Sequence, residues 1–256
     1  MTICISAICT ENEEENIVFG VDHMITTGLG QFEHDITKYK LLSRNTVGMI
    51  AGNALLMDYF LDDDYSQKSY SEIQNILEEK FKQKRLEKIQ KEVFDVFSID
   101  KEFVKEILKN PITNEYQTLI LKNIAKSKLN TAILLMGFED NKAKISEIVD
   151  TGIEDYGQIN FNTICSGSIQ AQNTLLFQHH SRQDDLKTTL YNVYKAKKNA
   201  EVMQGVGKET DIGYLSQNGV RMLDEKSINI LDEIYNIELN CGKQHHMLDE
   251  LNIKYC

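Results

Sequence analysis

The 256-residue sequence predicts an α+β fold in which two antiparallel sheets face each other and helices cover their outer sides, a four-layer αββα sandwich. Three observations carry that expectation. Runs such as 3–9 and 132–138 are apolar at nearly every position, as strands are when both of their faces are covered. Between such runs, apolar residues recur at helical spacing, for example Ile73, Ile76, Leu77 and Phe81. Glu139-Asp140-Asn141-Lys142 joins two strand-like runs as a hairpin turn, which makes that pair antiparallel.

Taken in order, the first strand covers 3–9, and a second strand-like run ends in Gly20-Val21-Asp22-His23-Met24-Ile25-Thr26-Thr27-Gly28. A further apolar strand runs over 45–53 and ends at Ala51-Gly52. Asp62-Asp63-Asp64 lacks the alternating ligands and glycine of a calcium loop and reads as a turn before the next helix. Ser69-Tyr70-Ser71-Glu72 has capping-box form and opens a long helix that continues through Leu86, Ile89, Val93 and Phe97. A second helix over 100–109 is stopped by Asn110-Pro111, and a third covers 115–126. The region 66–128 is thus a helical layer or insertion, whose simplest role is to bury a sheet.

Strands then return over 130–138, 144–149 and 161–165, the last leading through Ser166-Gly167 into a helix with Ala171, Leu175 and Leu176. The next helix, 183–202, carries Leu186, Leu190, Val193, Tyr194 and Lys197 on one side. A closing strand over 211–217 turns at Asn218-Gly219, and the tail 221–256 shows another amphipathic helix through Leu223, Ile228, Leu231, Ile234 and Tyr235. With one proline and no Gly/Ser-rich linker, nothing divides 1–256 into two domains.

A formal net charge of −11 argues against nucleic acid as a partner, and the basic cluster at 80–91 reads as the solvated face of a helix. The apolar run at the start has no basic residues before it and stops at Glu11-Asn12-Glu13-Glu14-Glu15, and no stretch approaches a membrane span. A cytoplasmic location and no membrane partner are expected. The five cysteines are odd in number and scattered; Cys4, Cys9 and Cys165 read as small reduced core residues and Cys256 as a free thiol, with Cys241 also reduced. The pairs His179-His180 and His245-His246 are poor metal sites, since neighbours on a helix point about 100° apart, so no metal or other cofactor is expected. His23 adjoins Asp22, but on a strand it faces the opposite side.

The chemistry-bearing residue is Thr2. Once Met1 is removed, it carries a hydroxyl nucleophile and an α-amine that can serve as its base. Many chains begin Met-Thr, so the position gains meaning only from partners. A cation nearby helps keep the amine neutral and stabilises negative charge on Oγ, and a carboxylate holds that cation. Lys38 and Asp22 supply both. Gly52, at the end of an apolar strand, lets a substrate carbonyl approach a backbone N–H.

Thr2, Val21-Asp22, Ile25-Thr26-Thr27-Gly28, Lys38, Ile50-Ala51-Gly52 and Cys165-Ser166-Gly167-Ser168 together resemble the proteasome β-subunit superfamily of N-terminal-nucleophile (Ntn) hydrolases. The spacing matches that family's as well as the residue types: Lys38 follows Asp22 by sixteen residues, and Gly52 follows Lys38 by fourteen. The likeness covers the first sixty residues and roughly 131–220. It implies a fold of that type and assigns Thr2 as nucleophile, Lys38 as the cation beside it and Asp22 as the carboxylate that orients Lys38. Gly52 becomes the oxyanion-hole donor, and Ser166 the hydroxyl on the α-amine. The substrate strand would lie along Thr26, with its side-chain pocket formed by Ile25, Ile36, Ile50 and Ala54, apolar and without charge.

The implied activity is that of a threonine protease or amidohydrolase acting on peptide or unfolded-protein substrates, self-associating into a homo-oligomer or ring. One departure stands against it. Met203 and Val206 occupy the places where active family members carry an aspartate and a serine. The glycines of the 205–207 loop allow it to position Ser166 through carbonyl oxygens instead. Two alternatives stay open: a non-catalytic assembly or peptide-binding subunit, and a small-amide acylase with the same nucleophile.

Overall fold

The computed structural model describes residues 2–27, 30–34, 36–109 and 114–242, apart from the side chains at 26, 27, 54, 241 and 242. The expectations for Gly28, Asn110-Pro111, His245-His246 and Cys256, and for the Cys241 thiol, lie outside what is described. The chain is mixed α+β. Its strands are β1 (Cys4–Glu11), β2 (Glu14–Asp22), β3 (Met24–Thr27), β4 (Gly30–Glu33), β5 (Tyr39–Ser43), β6 (Thr46–Gly52), β7 (Thr131–Glu139), β8 (Lys142–Val149), β9 (Gly152–Asp155), β10 (Phe161–Ile164), β11 (Thr210–Ser216) and β12 (Gly219–Met222). Helices are α1 (Met57–Leu61), entered through a 3-10 turn, α2 (Tyr70–Ile89), α3 (Asp95–Phe97), α4 (Lys101–Lys109), α5 (Glu115–Lys126), α6 (Ser168–Phe177), α7 (Leu186–Ala200) and α8 (Glu225–Gly242).

All strand pairs are antiparallel. One sheet runs β10-β1-β2-β11-β12, another β5-β6-β7-β8-β9, and β3-β4 form a two-stranded ladder of their own. The period-two alternation of strands sorts their side chains between two apolar layers. Cys4 and Ile8 of β1 join Phe19, Met49, Leu134 and Met136 in a core shared by the two larger sheets. Ile3 and Ile5 point the other way, onto Ala171 and Leu175 of α6 and Val193 and Ala196 of α7. On the second sheet, Ile133 and Leu135 pack with Phe60, Leu61, Leu77 and Phe81 of α1 and α2, where Phe60 and Phe81 stack at 4.3 Å between ring centres. Both faces of β1 and β7 are thus covered, which is why they read as unbroken apolar runs.

The capping box at Ser69 forms with Glu72, as its sequence signature requires. The long helix beyond it does not stay uniform: residues 90–94 form a π turn, and Ser98 ends it in the left-handed region at φ 52°. The second strand-like run breaks at His23 into β2 and β3, and β4, β5, β9 and β12 were not anticipated; β4, β9 and β12 are four residues long and largely half or fully exposed, with little apolar alternation to mark them.

His180, of the first histidine pair, is buried. Its Nε2 lies 3.1 Å from the Ile8 carbonyl, and its Nδ1 lies 3.2 Å from an Asp184 carboxylate oxygen without hydrogen-bond alignment. Burial pushes its pKa below the ordinary 6.5, and the nearby Asp184 only partly offsets this. The unfolded chain therefore binds a proton here that the folded chain refuses. The stability contributed by neutral His180 is whole above about pH 6.5 and is lost as the pH falls through the lower folded value. Thermal unfolding followed from pH 7 to pH 5 should show a falling midpoint, and His180→Asn should make that fall shallower; an unchanged slope would mean that His180 titrates normally.

Candidate active site

Pairing of Cys4 with Val21 brings the residues before β1 against the end of β2, so Thr2 and Asp22 become neighbours. Lys38 enters from the segment preceding β5, in the other large sheet. The three side chains meet. Thr2 Oγ1 donates to Asp22 Oδ1 and accepts from Lys38 Nζ. Lys38 Nζ also donates to Asp22 Oδ1 at 2.8 Å and to the Met24 carbonyl, which engages all three of its donors. Thr2 and Lys38 are each 3% exposed, and Asp22 is fully buried.

Asp22 is the most heavily bonded group in the cluster. Besides Thr2 and Lys38, its Oδ1 accepts the Ile3 N–H at 3.1 Å, and its Oδ2 accepts the Gly207 N–H at 2.7 Å. The second bond corrects the expectation for the 205–207 loop. The loop reaches the site through an N–H aimed at Asp22, not through carbonyls aimed at Ser166. Val206 and Met203 pack into the apolar layer with Ile3 and Ala200, a setting that would leave a carboxylate without partners. Among the described residues, the hydrogen-bond partner of the half-buried Ser166 hydroxyl is Cys165 Sγ, at 3.9 Å.

Behind the loop stands Lys197, which the helical period had placed on the apolar side of α7 without assigning it a task. It is fully buried, and its Nζ donates to Glu201 at 2.7 Å and to the Lys208 carbonyl at 2.6 Å. Burial lowers its pKa from the ordinary lysine value, and Glu201 opposes that shift. Both ends of the 201–208 loop are thereby tied to one ammonium. A lysine at a core position of an amphipathic helix was the signal available in sequence; Gly207 and the Met24 carbonyl act through the backbone and leave none.

Gly52 ends β6 at an exposed position with φ 99°. A methyl group added there would run into the Asn130 carbonyl of the adjoining strand start, so glycine is required by that close approach as well as by the positive φ. Of the expected pocket residues, Ile25 is half-buried in β3 and Thr26 lies beside it, Ile36 is 37% exposed, and Ala54 begins the turn into α1. Ile50 is buried in the layer beneath α1 and α2. His23 lies against Asp211, its Nε2 2.9 Å from a carboxylate oxygen. Cys4, just under the trio, is a fully buried thiol whose pKa burial raises well above the ordinary value. Among the described residues, no cluster of three or more His, Cys, Asp or Glu could hold a metal ion, and no helix is long and apolar enough to cross a membrane.

Two outcomes follow from this geometry. Gly52→Ala should cost at least about 2 kcal/mol in chemical denaturation, from backbone strain and steric conflict together; a variant as stable as the parent would refute the close approach. Lys197→Met keeps the aliphatic stem and removes the tether. In hydrogen exchange, the Gly207 amide should then lose protection while the β1 and β2 amides keep theirs, and unchanged protection at Gly207 would show that the loop holds itself.

Comparison of the chain with family models and with curated protein sequences finds no match.

Proposed function

We propose that this chain is an Ntn-type threonine amidohydrolase that cleaves peptide bonds, with Thr2 as its nucleophile once the Met1–Thr2 bond has been cut. The observation that carries the reading is the buried cluster in which Thr2 Oγ1, Lys38 Nζ and Asp22 share direct hydrogen bonds. The proposal includes the four-layer αββα order, supported by the three apolar layers described above, and extends to peptide or unfolded-protein substrates and to self-association.

In the mechanism, the freed α-amine of Thr2 accepts the hydroxyl proton as Oγ bonds to the substrate carbonyl carbon. Lys38 donates to Oγ and stabilises the charge that develops there, while Asp22 holds Lys38 in place. The carbonyl oxygen becomes an oxyanion and is received by the Gly52 N–H. When the carbon–nitrogen bond breaks, the ammonium of Thr2 returns its proton to the leaving amine. The resulting ester on Thr2 is hydrolysed by a water from which the same amine removes a proton.

A specific observation also favours a non-catalytic subunit: Ser166, which the mechanism would set on the α-amine, takes no support from the 205–207 loop, and Met203 and Val206 serve packing. One set of measurements separates the readings. Mass spectrometry of the purified chain should find Thr2 at the terminus, and an electrophilic threonine trap should form one adduct on it. Thr2→Ala should abolish hydrolysis of a fluorogenic peptide with the fold intact, and Lys38→Ala should slow it by about 10²–10⁴-fold. An exposed Thr2 that forms no adduct and turns over no peptide would establish the non-catalytic reading.

A further inference from the structure

The β3–β4 ladder is fastened to the loop before β11 by one carboxylate. Glu33 ends β4 at an exposed position, and its Oε1 accepts both the Lys208 N–H and, at 2.9 Å, the Glu209 N–H. The neighbouring Gly207 N–H goes to Asp22 Oδ2 at 2.7 Å. Three successive amides of one loop are thus shared between two carboxylates, one in the buried cluster and one on the hairpin. The two segments approach closely: a methyl group at Gly207 would strike the Glu33 carboxylate and the backbone nitrogen of Met24.

Glu33 faces Met24 across the ladder. The Met24 carbonyl accepts from Lys38 Nζ, which also donates to Thr2 Oγ1 and Asp22 Oδ1. An ammonium has three donors, and its position is set when each has a fixed acceptor. Two of these acceptors belong to the cluster itself. The third belongs to a hairpin of two four-residue strands that pairs with neither large sheet and is too small to be stable alone. Met24 therefore needs a hold from outside the ladder, and the bonds from Lys208 and Glu209 supply it on the strand directly opposite. Bonds to an ionised acceptor are the strong kind. The Lys208 carbonyl accepts from buried Lys197 at 2.6 Å, so the amides given to Glu33 come from a segment anchored on its other side.

We propose that Glu33 is a positioning residue for Lys38: by binding the Lys208 and Glu209 amides, it holds the Met24 carbonyl on the ammonium beside Thr2. As a contribution to peptide hydrolysis this rests on the hydrolase reading, to which it adds a side chain outside the buried cluster. As a link between hairpin and cluster it stands without that reading.

The link can be tested without turnover. In Glu33→Ala, hydrogen exchange at the Lys208 and Glu209 amides should quicken at least about tenfold while the β1 and β2 amides keep their protection, and the nitrogen NMR signal of the Lys38 ammonium should shift. Glu33→Gln keeps an acceptor oxygen at the same reach without the charge, so both readings should move in the same direction by less; they decide alone if the alanine variant does not fold. Unchanged exchange at Lys208 and Glu209 would refute the bonds, and faster exchange with an unmoved Lys38 signal would reduce Glu33 to a local fastening. Either result overturns the proposal. In peptide hydrolysis, Glu33→Ala should lower kcat about tenfold and leave KM within about twofold. A parent protein that turns over no peptide, with exchange and ammonium readings as stated, removes the hydrolase and keeps the link. Hydrolysis with kcat untouched by Glu33→Ala keeps the hydrolase and overturns the positioning role.

Discussion

The Asp22 carboxylate is the constraint on which the rest of the site depends. It is fully buried and accepts from Thr2 Oγ1, Ile3 N, Lys38 Nζ and Gly207 N, groups that come from the start of β1, the entry to β5 and the loop before β11. A carboxylate taken out of water is expensive unless its lone pairs are used, and here the four donors arrive from three separate parts of the chain. The arrangement is complete only when both large sheets and the α7–β11 loop are in place. Thr2 and Lys38 are brought into contact by the closure of the fold, with no local sequence device to hold them.

Two buried lysines serve Asp22 in different ways. Lys38 touches it and spends its other donors on Thr2 and the Met24 carbonyl. Lys197 sits a layer farther back and acts through the loop, binding Glu201 and the Lys208 carbonyl so that the intervening Gly207 N–H is presented to Asp22 Oδ2. This makes sense of Met203 and Val206, which face Ile3 and Ala200 in an apolar layer. A carboxylate and a hydroxyl there would need partners that the layer lacks. Backbone hydrogen bonding and one tethering ammonium take over the support of the site.

Features that depend on side-chain type at fixed spacing were legible in the sequence. The apolar runs of β1 and β7, the capping box at Ser69, and the Thr2, Asp22 and Lys38 set all belong to that class. What escaped notice acts through the backbone or through long-range packing. The Met24 carbonyl and Gly207 N–H carry no residue signature, and the β3–β4 ladder is short enough for His23 to hide its beginning. The burial of His180 depends on where α6 ends relative to β1, a tertiary fact that no local pattern encodes. The bond from the Leu129 N–H to Asp150 is likewise tertiary, formed because β8 ends beside the start of β7.

Under the proposed hydrolase reading, the burial that shields the site also narrows the choice of nucleophile. Cys4 is two residues from Thr2, and a thiolate is intrinsically the better attacking group. Its thiol is held protonated by desolvation, however, and donates to the Ile50 carbonyl at 3.6 Å inside the inter-sheet core. Ser166 has no base within its described contacts. Thr2 alone combines a hydroxyl already bonded to a lysine with an amine on its own residue that cleavage can release. Thr2 is 3% exposed, so under the proposed hydrolase reading its Oγ must gain access to a substrate carbonyl as well as a free amine to serve as its base.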